Sequence, residues 1–303
     1  MTVRSINAEA VMKEITETIS SRLEDVGLMF RIFFRCKAQS SIEKKLNSDE
    51  EYGKSKKIQD LIGVRVVLYF NDDIETVREI ISREFRERKA DASIDKYSND
   101  EFKATRFNIV YELSEELTSQ LKLREQEGKI DNTFELQIRT IFSEGWHEVE
   151  HDLRYKCQDD WKGFDNQSRR LNGVYATLET SEWTMIKIFD ELAYSHYKNN
   201  EWSAMFRQKF RLRFIDESLN KDLEDIFQSD NELAKLFFRL DRTKLIREMS
   251  NRGFFFPMKL QNLIYFANIA MIQDRRIINL TPPAMIEAMK EPATEFNVGG
   301  VVD

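Results

Sequence analysis

Residues 133–140 constrain the fold most strongly, because apolar and polar side chains alternate along this segment. The apolar positions are Phe134, Leu136 and Ile138, and the polar positions are Glu135, Gln137 and Arg139. Successive side chains of a β-strand point to opposite faces of the sheet, so the alternation predicts a strand with one apolar and one polar face. A polar strand face is costly to bury unless its groups are paired. The polar face is therefore expected to line a cleft or to meet solvent.

Three further segments are typical of strands. Residues 29–37 alternate and place basic side chains on one face. Residues 64–70 (VRVVLYF) are nearly continuous in apolar, β-rich residues, which predicts a buried central strand. Residues 107–113 are another strand candidate. Apolar side chains at helical spacing predict helices over residues 11–23, 74–85 and 142–153. The N-terminal part therefore mixes helices and strands in an α/β arrangement.

Beyond Lys156 the pattern becomes helical. One long amphipathic helix is predicted over residues 171–194, and two more over residues 216–247 with a break near residues 229–231. A short last helix is expected to begin at Thr281, where a capping threonine precedes two prolines.

The segment 206–214 (FRQKFRLRF) fits two structures. As a helix it has an apolar stripe of phenylalanines, and as a strand it has a basic face able to contact a phosphate backbone. The predicted fold class is α/β, with a mixed β-sheet flanked by helices and a mostly α-helical C-terminal region. The expected domains are residues 1–160 and residues 161–303.

Composition excludes several classes of protein. The formal net charge of −7 argues against non-specific coating of nucleic acid. Cys36 and Cys157 are far apart in sequence, so a disulfide framework is not expected, which fits a reducing cytoplasm. The N-terminus has no apolar signal core, and no apolar run approaches the roughly 18 residues of a membrane helix. We therefore expect a cytoplasmic protein without membrane contacts.

Basic side chains gather around the first predicted strand. Arg35 and Lys37 share one face of that strand, and a helix is expected to begin at Ser40 or Ser41, with Lys45 about one turn further on. Free backbone N–H groups at a helix start favour anions, so these residues together could hold a polyphosphate. The spacing is equally compatible with a solvated basic surface.

Two acids are candidates for a metal site. Asp60 precedes the buried strand, and Glu135 lies on the alternating strand. Carboxylates from two strands of one sheet can converge on Mg²⁺, which takes its remaining ligands from phosphate and water. A solvent-facing sheet face remains the alternative.

The predicted helix 142–153 carries a zinc-protease pattern, His147-Glu148-Val149-Glu150-His151. Several charged residues on this helix weaken the zinc interpretation, and the pattern is short enough to occur by chance. The apolar stripe that is expected to pack this helix on the sheet consists of Phe142, Trp146, Val149 and Leu153. Both histidines are then expected toward the edge of the packed face.

Four blocks in this order resemble the synthetase domain of the RelA/SpoT nucleotide pyrophosphokinases. They are RCKAQSSIEKK (35–45), DLIGVRVV (60–67), FELQIRT (134–140) and WHEVEHDLRYK (146–156). The resemblance covers roughly residues 30–157. It implies a nucleotidyltransferase-like sheet and transfer of the β,γ-pyrophosphate of ATP to a ribose 3′-hydroxyl, with release of AMP. It also implies Mg²⁺ as the cofactor and GDP or GTP as the acceptor, as in alarmone synthesis.

The resemblance implies a role for each matching residue. Arg35, Lys37, Ser41, Lys45 and Arg65 would bind ATP; Asp60 and Glu135 would be catalytic and would hold Mg²⁺; Phe102, Lys103, Arg106, Gln137, Arg139 and His151 would bind the acceptor. Glu135 would act either as a metal ligand or as the base that takes the 3′-hydroxyl proton.

The acceptor loop departs from the family pattern. The family usually has N-G-Y-x-S-L-H there, whereas residues 99–106 are NDEFKATR. Phe102 still offers a ring for stacking on a base, but Ala104 and Arg106 replace the serine and histidine. This departure is compatible with a toxin-like enzyme that pyrophosphorylates the 3′ end of tRNA, for example in phage defence, or with another free nucleotide as the acceptor. A non-catalytic binding module with the same fold is a further alternative.

No His-Asp hydrolase domain precedes the synthetase blocks, so the chain is expected to make its product without degrading it. The helical region 161–303 lies outside the resemblance. It is the natural candidate for contacts with a second copy of the chain or with a neutralising protein partner such as an antitoxin.

Overall fold

The structure is a computed structural model that describes residues 8–52, 54–94, 107–121 and 128–290. The chain divides into two compact units. Unit 1 holds the described residues up to Ser21 together with Phe30–Met185, and unit 2 holds Arg22–Met29 together with the described residues from Ile186 onward.

Unit 1 is built around a mixed β-sheet. Its strands are β1 (Phe30–Cys36), β2 (Ile62–Leu68), β3 (Ser93–Ile94), β4 (Phe107–Glu112) and β5 (Thr133–Thr140). The five strands lie in the order β1-β2-β5-β4-β3. β2 and β5 are parallel neighbours, and the other neighbouring pairs are antiparallel. The four predicted strands are confirmed, whereas β3 is too short to leave an alternating pattern in the sequence.

The apolar face of the sheet forms the core of unit 1. Val64 and Val66 of β2 and Leu136 and Ile138 of β5 are fully buried. The polar residues between them along the same strands point to the opposite face, as strand geometry requires. The alternation of apolar and polar residues along the strands therefore separates the side chains of the core from those of the candidate site.

Helices flank the strands in sequence. They are α1 (Ala8–Asp25), α2 (Gln39–Ser48), α3 (Ile74–Glu84), α4 (Glu115–Leu121) and α5 (Ile141–Glu150). α6 (Asp165–Lys198) follows and contributes residues to both units. α1 ends before Gly27, whose φ of +69° is the left-handed conformation that glycine adopts most easily after a helix. α6 is longer at both ends than the predicted helix over residues 171–194.

Unit 2 is helical. Its further helices are α7 (Trp202–Phe210), α8 (Lys221–Ser229), α9 (Asn231–Phe238), α10 (Arg242–Asn251), α11 (Leu260–Ala267), α12 (Arg275–Leu280) and α13 (Pro283–Lys290). The break predicted near residue 230 separates α8 from α9, where Asp230 caps α9 by accepting a hydrogen bond from the Leu233 amide. The region that was predicted to hold two helices holds three, because Asp241 caps an additional helix by accepting from the Lys244 amide.

The segment FRQKFRLRF is helical over most of its length, so its interpretation as a basic strand is wrong. Phe206 and Phe210 are fully buried, and helical spacing puts both on one side of α7. Phe206 lies 5.2 Å from Phe227 between ring centroids. Burial of these rings in the core of unit 2 decides the structure of the segment.

The apolar stripe predicted for α5 is only partly correct. Trp146 is buried, but Val149 and Leu153 are exposed. The α-helix ends at Glu150 and continues as a π-helical turn over His151–Tyr155. A π-turn changes the angle between successive side chains, so the helical stripe does not extend through it. In the described part of the chain, no helix has the length and apolarity needed to cross a membrane.

Candidate active site

The strand pairing aligns polar residues in rows across one face of the sheet. Arg35 of β1 pairs with Gly63 of β2, which pairs with Glu135 of β5. The next row contains Arg65 of β2 and Gln137 of β5. Tertiary structure thus brings together residues that are about 100 positions apart in the chain.

Gly63 leaves room for the side chain of Arg35. A Cβ atom at Gly63 would lie 3.6 Å from Cγ and 3.7 Å from Nε of Arg35. The arginine side chain therefore lies over β2 at the position that pairs with Glu135. An alanine at Gly63 would therefore only reach van der Waals contact with Arg35.

Asp60 is held by two lysines just before β2 begins. Its Oδ2 accepts a hydrogen bond from Lys37 Nζ at 2.5 Å, and its Oδ1 accepts one from Lys45 Nζ at 3.1 Å. Burial favours the protonated acid, but the two ammonium groups outweigh burial and lower the pKa of Asp60 below its ordinary value. The predicted basic cluster and the predicted acid thus form one charge network.

α2 carries Lys45 but differs from its predicted start. The helix begins at Gln39, and Ala38 occupies the N-cap position without a side-chain cap. Ser41 therefore lies inside the first turn, where its backbone N–H donates to Ala38 O at 2.9 Å and its side chain is exposed. The expected role of Ser41 as an N-cap is wrong, because the chain enters the helix two residues earlier.

Gln137 connects Glu135 with Arg65. Its Nε2 donates a hydrogen bond to Glu135 Oε1 at 2.6 Å, and its Oε1 accepts one from Arg65 Nε at 2.9 Å. The side-chain amide is thereby fixed in orientation, with its oxygen toward the guanidinium. Both Glu135 and Gln137 are half-buried.

Helix α5 supplies two acids to the same network. Arg65 Nη1 lies 2.5 Å from Oε1 of Glu144 and 2.5 Å from Oε1 of Glu148. The two glutamates are four residues apart, so helical geometry places them on one face. Burial lowers the pKa of Arg65, but the hydrogen bonds that Arg65 donates to these carboxylates outweigh burial, so the pKa is raised.

The start of α5 is fixed by a capping box. Thr140 Oγ1 accepts from the Ser143 backbone N–H at 3.1 Å, and Ser143 Oγ accepts from the Thr140 backbone N–H at 2.9 Å. Thr140 also donates through Oγ1 to Glu182 of α6. Because Thr140 is the last residue of β5, this cap couples the strand that carries Glu135 directly to the helix that carries Glu144.

Arg139 is the most buried cation of the polar face. Only 4% of it is exposed, and its Nη2 donates to Asn108 Oδ1 at 3.3 Å. Burial, and then the charge of Arg65, lower the pKa of Arg139. His147 lies in the same positively charged environment. Burial, followed by the charges of Arg139 and Arg65, lowers the pKa of His147 from 6.5 to about 4. The His147 imidazole is therefore neutral near pH 7.

His151 lies further out. It is half-exposed, and its Nδ1 lies 2.9 Å from Asp152 Oδ1. The ring centroids of His147 and His151 are 6.0 Å apart, with 28° between the ring planes. The positive charges beside His147 oppose a metal cation there, which disfavours the zinc interpretation of the H-E-x-x-H pattern. The structure does not connect His151 to the Glu135 network by any hydrogen bond among the described residues.

Three predicted acceptor residues, Phe102, Lys103 and Arg106, lie outside the described residues. Sequence reasoning missed Glu144, Glu148 and Asn108 as members of the site. The i, i+4 spacing of Glu144 and Glu148 on a helix that directly follows the strand of Glu135 was a usable signal. Asn108 carried no such signal, because its place depends on the register of β4 with β5.

The residues available for a metal are few. Asp60 lies two residues before Ile62, and Ile62 pairs with Phe134, which precedes Glu135. Both carboxylates therefore belong to the same end of two parallel strands. Among the described residues, no group of three or more His, Cys, Asp and Glu side chains is placed to hold a metal. Two carboxylates are a donor set of the kind that Mg²⁺ uses, with its remaining ligands supplied by water or phosphate.

Several solved structures of other proteins match this chain over part of its length. A GTP pyrophosphokinase family protein from Streptococcus pneumoniae is 21% identical, with a TM-score of 0.44, over 63% of this chain and 95% of that chain. Small alarmone synthetase 2 from Bacillus subtilis is 20% identical, with a TM-score of 0.44, over 61% and 98% of the two chains. Small alarmone synthetase 1 from Bacillus subtilis, bound to its product pppGpp, is 21% identical, with a TM-score of 0.45, over 63% and 95%.

No curated protein sequence matches the chain. A family model described as "Region found in RelA / SpoT proteins" matches residues 34–160. That range contains all four blocks of the resemblance and every described residue of the Glu135 and Asp60 networks. Residues 34–160 of this chain therefore match the region found in RelA and SpoT proteins.

Proposed function

We propose that this chain is a nucleotide pyrophosphokinase that transfers the β,γ-pyrophosphate of ATP to the 3′-hydroxyl of GDP or GTP. The proposal rests on the RelA/SpoT region and on one observation above all. The observation is that a half-buried carboxylate, Glu135, shares one sheet face with the cations Arg35, Arg65 and Arg139.

This charge arrangement suits transfer of a polyphosphate. Cationic side chains offset the negative charge of the phosphates, and positioning supplies most of the catalysis in phosphoryl-type transfer. Lys37 and Lys45 lie beside the same sheet end, where Asp60 holds them. A solvated basic surface would not need these lysines to converge on one carboxylate.

In the proposed reaction the 3′-oxygen of the acceptor attacks the β-phosphorus of ATP. A new P–O bond forms there, the bond between the β-phosphorus and the bridging oxygen breaks, and AMP leaves with that oxygen. Glu135 takes the proton of the 3′-hydroxyl through the carboxylate that Gln137 orients. Arg35, Lys37 and Lys45 bind the phosphates of ATP.

Asp60 and Glu135 would hold Mg²⁺ in this proposal. When bound, the ion would neutralise phosphate charge and polarise the phosphorus–oxygen bonds. The two lysine partners lower the pKa of Asp60 below its ordinary value, so Asp60 is ionised at neutral pH, which is the protonation state that a metal ligand needs.

The changed acceptor loop supports a second acceptor, the 3′ end of tRNA. Residues 99–106 lack the glycine, serine and histidine of the family pattern. The same donor chemistry would serve either acceptor, because both present a ribose 3′-hydroxyl.

An acceptor screen tests the proposal. The protein is incubated with Mg²⁺ and ATP labelled in the γ-phosphate, together with GDP, GTP or bulk tRNA in separate reactions. We expect label on GDP or GTP and release of an equal amount of AMP. Label on RNA alone would identify the 3′ end of tRNA as the acceptor and exclude GDP and GTP. Absence of label on every acceptor, with the protein folded and ATP bound, would overturn it.

A further inference from the structure

Arg65 has three hydrogen-bonding partners that differ in how far they are buried. Gln137 accepts from Nε, and Glu144 and Glu148 both accept from Nη1. The side chain of Arg65 is 20% exposed and that of Glu144 is 17% exposed, whereas that of Glu148 is 52% exposed. Glu144 is therefore the inner partner of the guanidinium, and Glu148 covers it from the solvent side.

The two glutamates are also bonded differently. Oε2 of Glu144 is buried without a hydrogen-bond partner in the described part of the chain. A buried carboxylate in that position costs much free energy if its remaining cation is removed, so the contact with Arg65 is expected to persist. Glu148 can exchange its contact with Arg65 for water, because half of its side chain already faces solvent.

Arg65 itself offers an anion no positive charge while both contacts are present. The guanidinium and the two carboxylates bonded to it sum to one negative charge, and a nucleotide brings several more negative charges. Among the described residues, Nη2 of Arg65 has no hydrogen-bond partner, so the guanidinium keeps donor capacity for a ligand. One carboxylate must leave before Arg65 carries positive charge toward a nucleotide.

We propose that Glu148 is a displaceable cover of Arg65 that a nucleoside triphosphate must release in order to bind, while Glu144 is a positioning residue that holds the arginine in place. This inference rests on the proposed function, since it takes the ligand to be the ATP of that reaction. Glu148 therefore sets the affinity for ATP by competing with it.

The two glutamates then have opposite effects on binding. Replacing Glu148 by glutamine removes the competing charge and leaves Arg65 bonded to Glu144 and Gln137. Replacing Glu144 by glutamine removes the carboxylate that holds Arg65 in place. Glu148 is then the only carboxylate on Arg65 among the described residues, and it competes with the nucleotide for the guanidinium. Surface ion pairs are weak, so we expect Glu148→Gln to bind the nucleotide about fivefold more tightly. Glu144→Gln is expected to bind it about fivefold less tightly.

Binding is measured by calorimetry with an ATP analogue that has a methylene group between the α- and β-phosphates. This analogue cannot be cleaved at the reacting bond, and no acceptor is present, so the measurement is independent of turnover. Glu17→Gln is the matched control, because Glu17 is exposed and pairs only with Lys13 among the described residues. It removes the same charge from the chain without touching Arg65.

Tighter binding by Glu148→Gln, weaker binding by Glu144→Gln and no change in Glu17→Gln would support the inference. Equal weakening by both glutamate variants of α5 would overturn it, because Glu148 would then be a second anchor. If Glu148→Gln bound the analogue with the same affinity as the unmodified protein, the inference would be overturned. A failure of every variant to bind the analogue would overturn it as well. If the analogue binds as expected but no acceptor is labelled, the proposed function fails while the inference about Glu148 stands.

Discussion

The side-chain amide of Gln137 donates a 2.6 Å hydrogen bond to Oε1 of Glu135, two residues earlier on the same face of β5. Because the amide oxygen accepts from Arg65, the amide cannot rotate without losing both contacts. Among the described residues, Oε2 of Glu135 has no hydrogen-bond partner. The pair therefore presents one oriented carboxylate oxygen on the polar face of the sheet.

Replacement of Glu135 by glutamine tests this carboxylate. The amide keeps the size of the side chain but cannot take a proton, so we expect turnover to fall by about a hundred- to ten-thousandfold. Turnover is measured as AMP released from ATP with the acceptor found in the screen. Glu112→Gln on the neighbouring strand β4 removes an equal charge and should stay within about twofold of the unmodified protein. A Glu135→Gln protein with unreduced turnover would exclude Glu135 as the base.

Asp60 should contribute to stability in a pH-dependent way. Its pKa is lowered in the folded protein, so the stabilisation is complete above the ordinary value of 3.8 and is lost as the pH falls below it. We expect Asp60→Asn to lower the free energy of unfolding by about 1–2 kcal/mol at pH 7. This difference should shrink below pH 4, as measured by urea unfolding at a series of pH values.

Asp159→Asn serves as the control for Asp60. Asp159 is 89% exposed and pairs with Lys162 on the surface, where ion pairs contribute little. Its substitution should leave stability nearly unchanged at every pH. A difference between Asp60→Asn and the unmodified protein that is constant from pH 7 to pH 3 would contradict the prediction.

His147 should remain neutral far below the usual range of histidine. Its pKa is lowered from 6.5 to about 4 in the folded protein, so unfolding takes up a proton between these values. The stability that depends on neutral His147 is full above pH 6.5 and is lost as the pH falls toward 4. His147→Gln should therefore lose less stability over this window than the unmodified protein.

Nuclear magnetic resonance gives the direct measurement for His147. The imidazole signal that disappears in His147→Gln should titrate with a midpoint near pH 4 in the unmodified protein. A midpoint near 6.5 would mean that burial and the charges of Arg139 and Arg65 do not act on this ring as the structure indicates.

Thr140→Ala should weaken the junction between β5 and α5. It removes the cap of α5 and the hydroxyl that donates to the buried Glu182 carboxylate, so we expect a loss of about 1–3 kcal/mol in the free energy of unfolding. Turnover should fall as well, because α5 carries Glu144. Asn220→Ala removes the cap of α8 in unit 2 and should cost about 1 kcal/mol without a similar fall in turnover. Equal effects on turnover would refute the coupling through Thr140.

Much of unit 1 could be predicted from local patterns. The alternation around Glu135 correctly separated the core face from the polar face, because strand geometry fixes the direction of each side chain. The RelA/SpoT region was recognised from short blocks of chemistry-bearing residues. Two local patterns gave wrong predictions. The helical stripe was expected to bury Val149 and Leu153, but Val149 is exposed within α5 and Leu153 lies in the π-turn that follows it. α2 begins before Ser41. For Leu153 and Ser41 the difference lies in backbone hydrogen bonding, which side-chain spacing does not reveal.

The sequence by itself determined which residues could meet phosphate and metal, because charge and side-chain type are local properties. Strand alternation also determined that Glu135, Gln137 and Arg139 share a face. Only the tertiary structure decided their partners: the parallel register of β2 with β5 sets Arg65 beside Gln137, and the cap at Thr140 directs Glu144 and Glu148 onto that arginine. Register and helix direction depend on packing across the whole unit, and so no single segment of the chain encodes them.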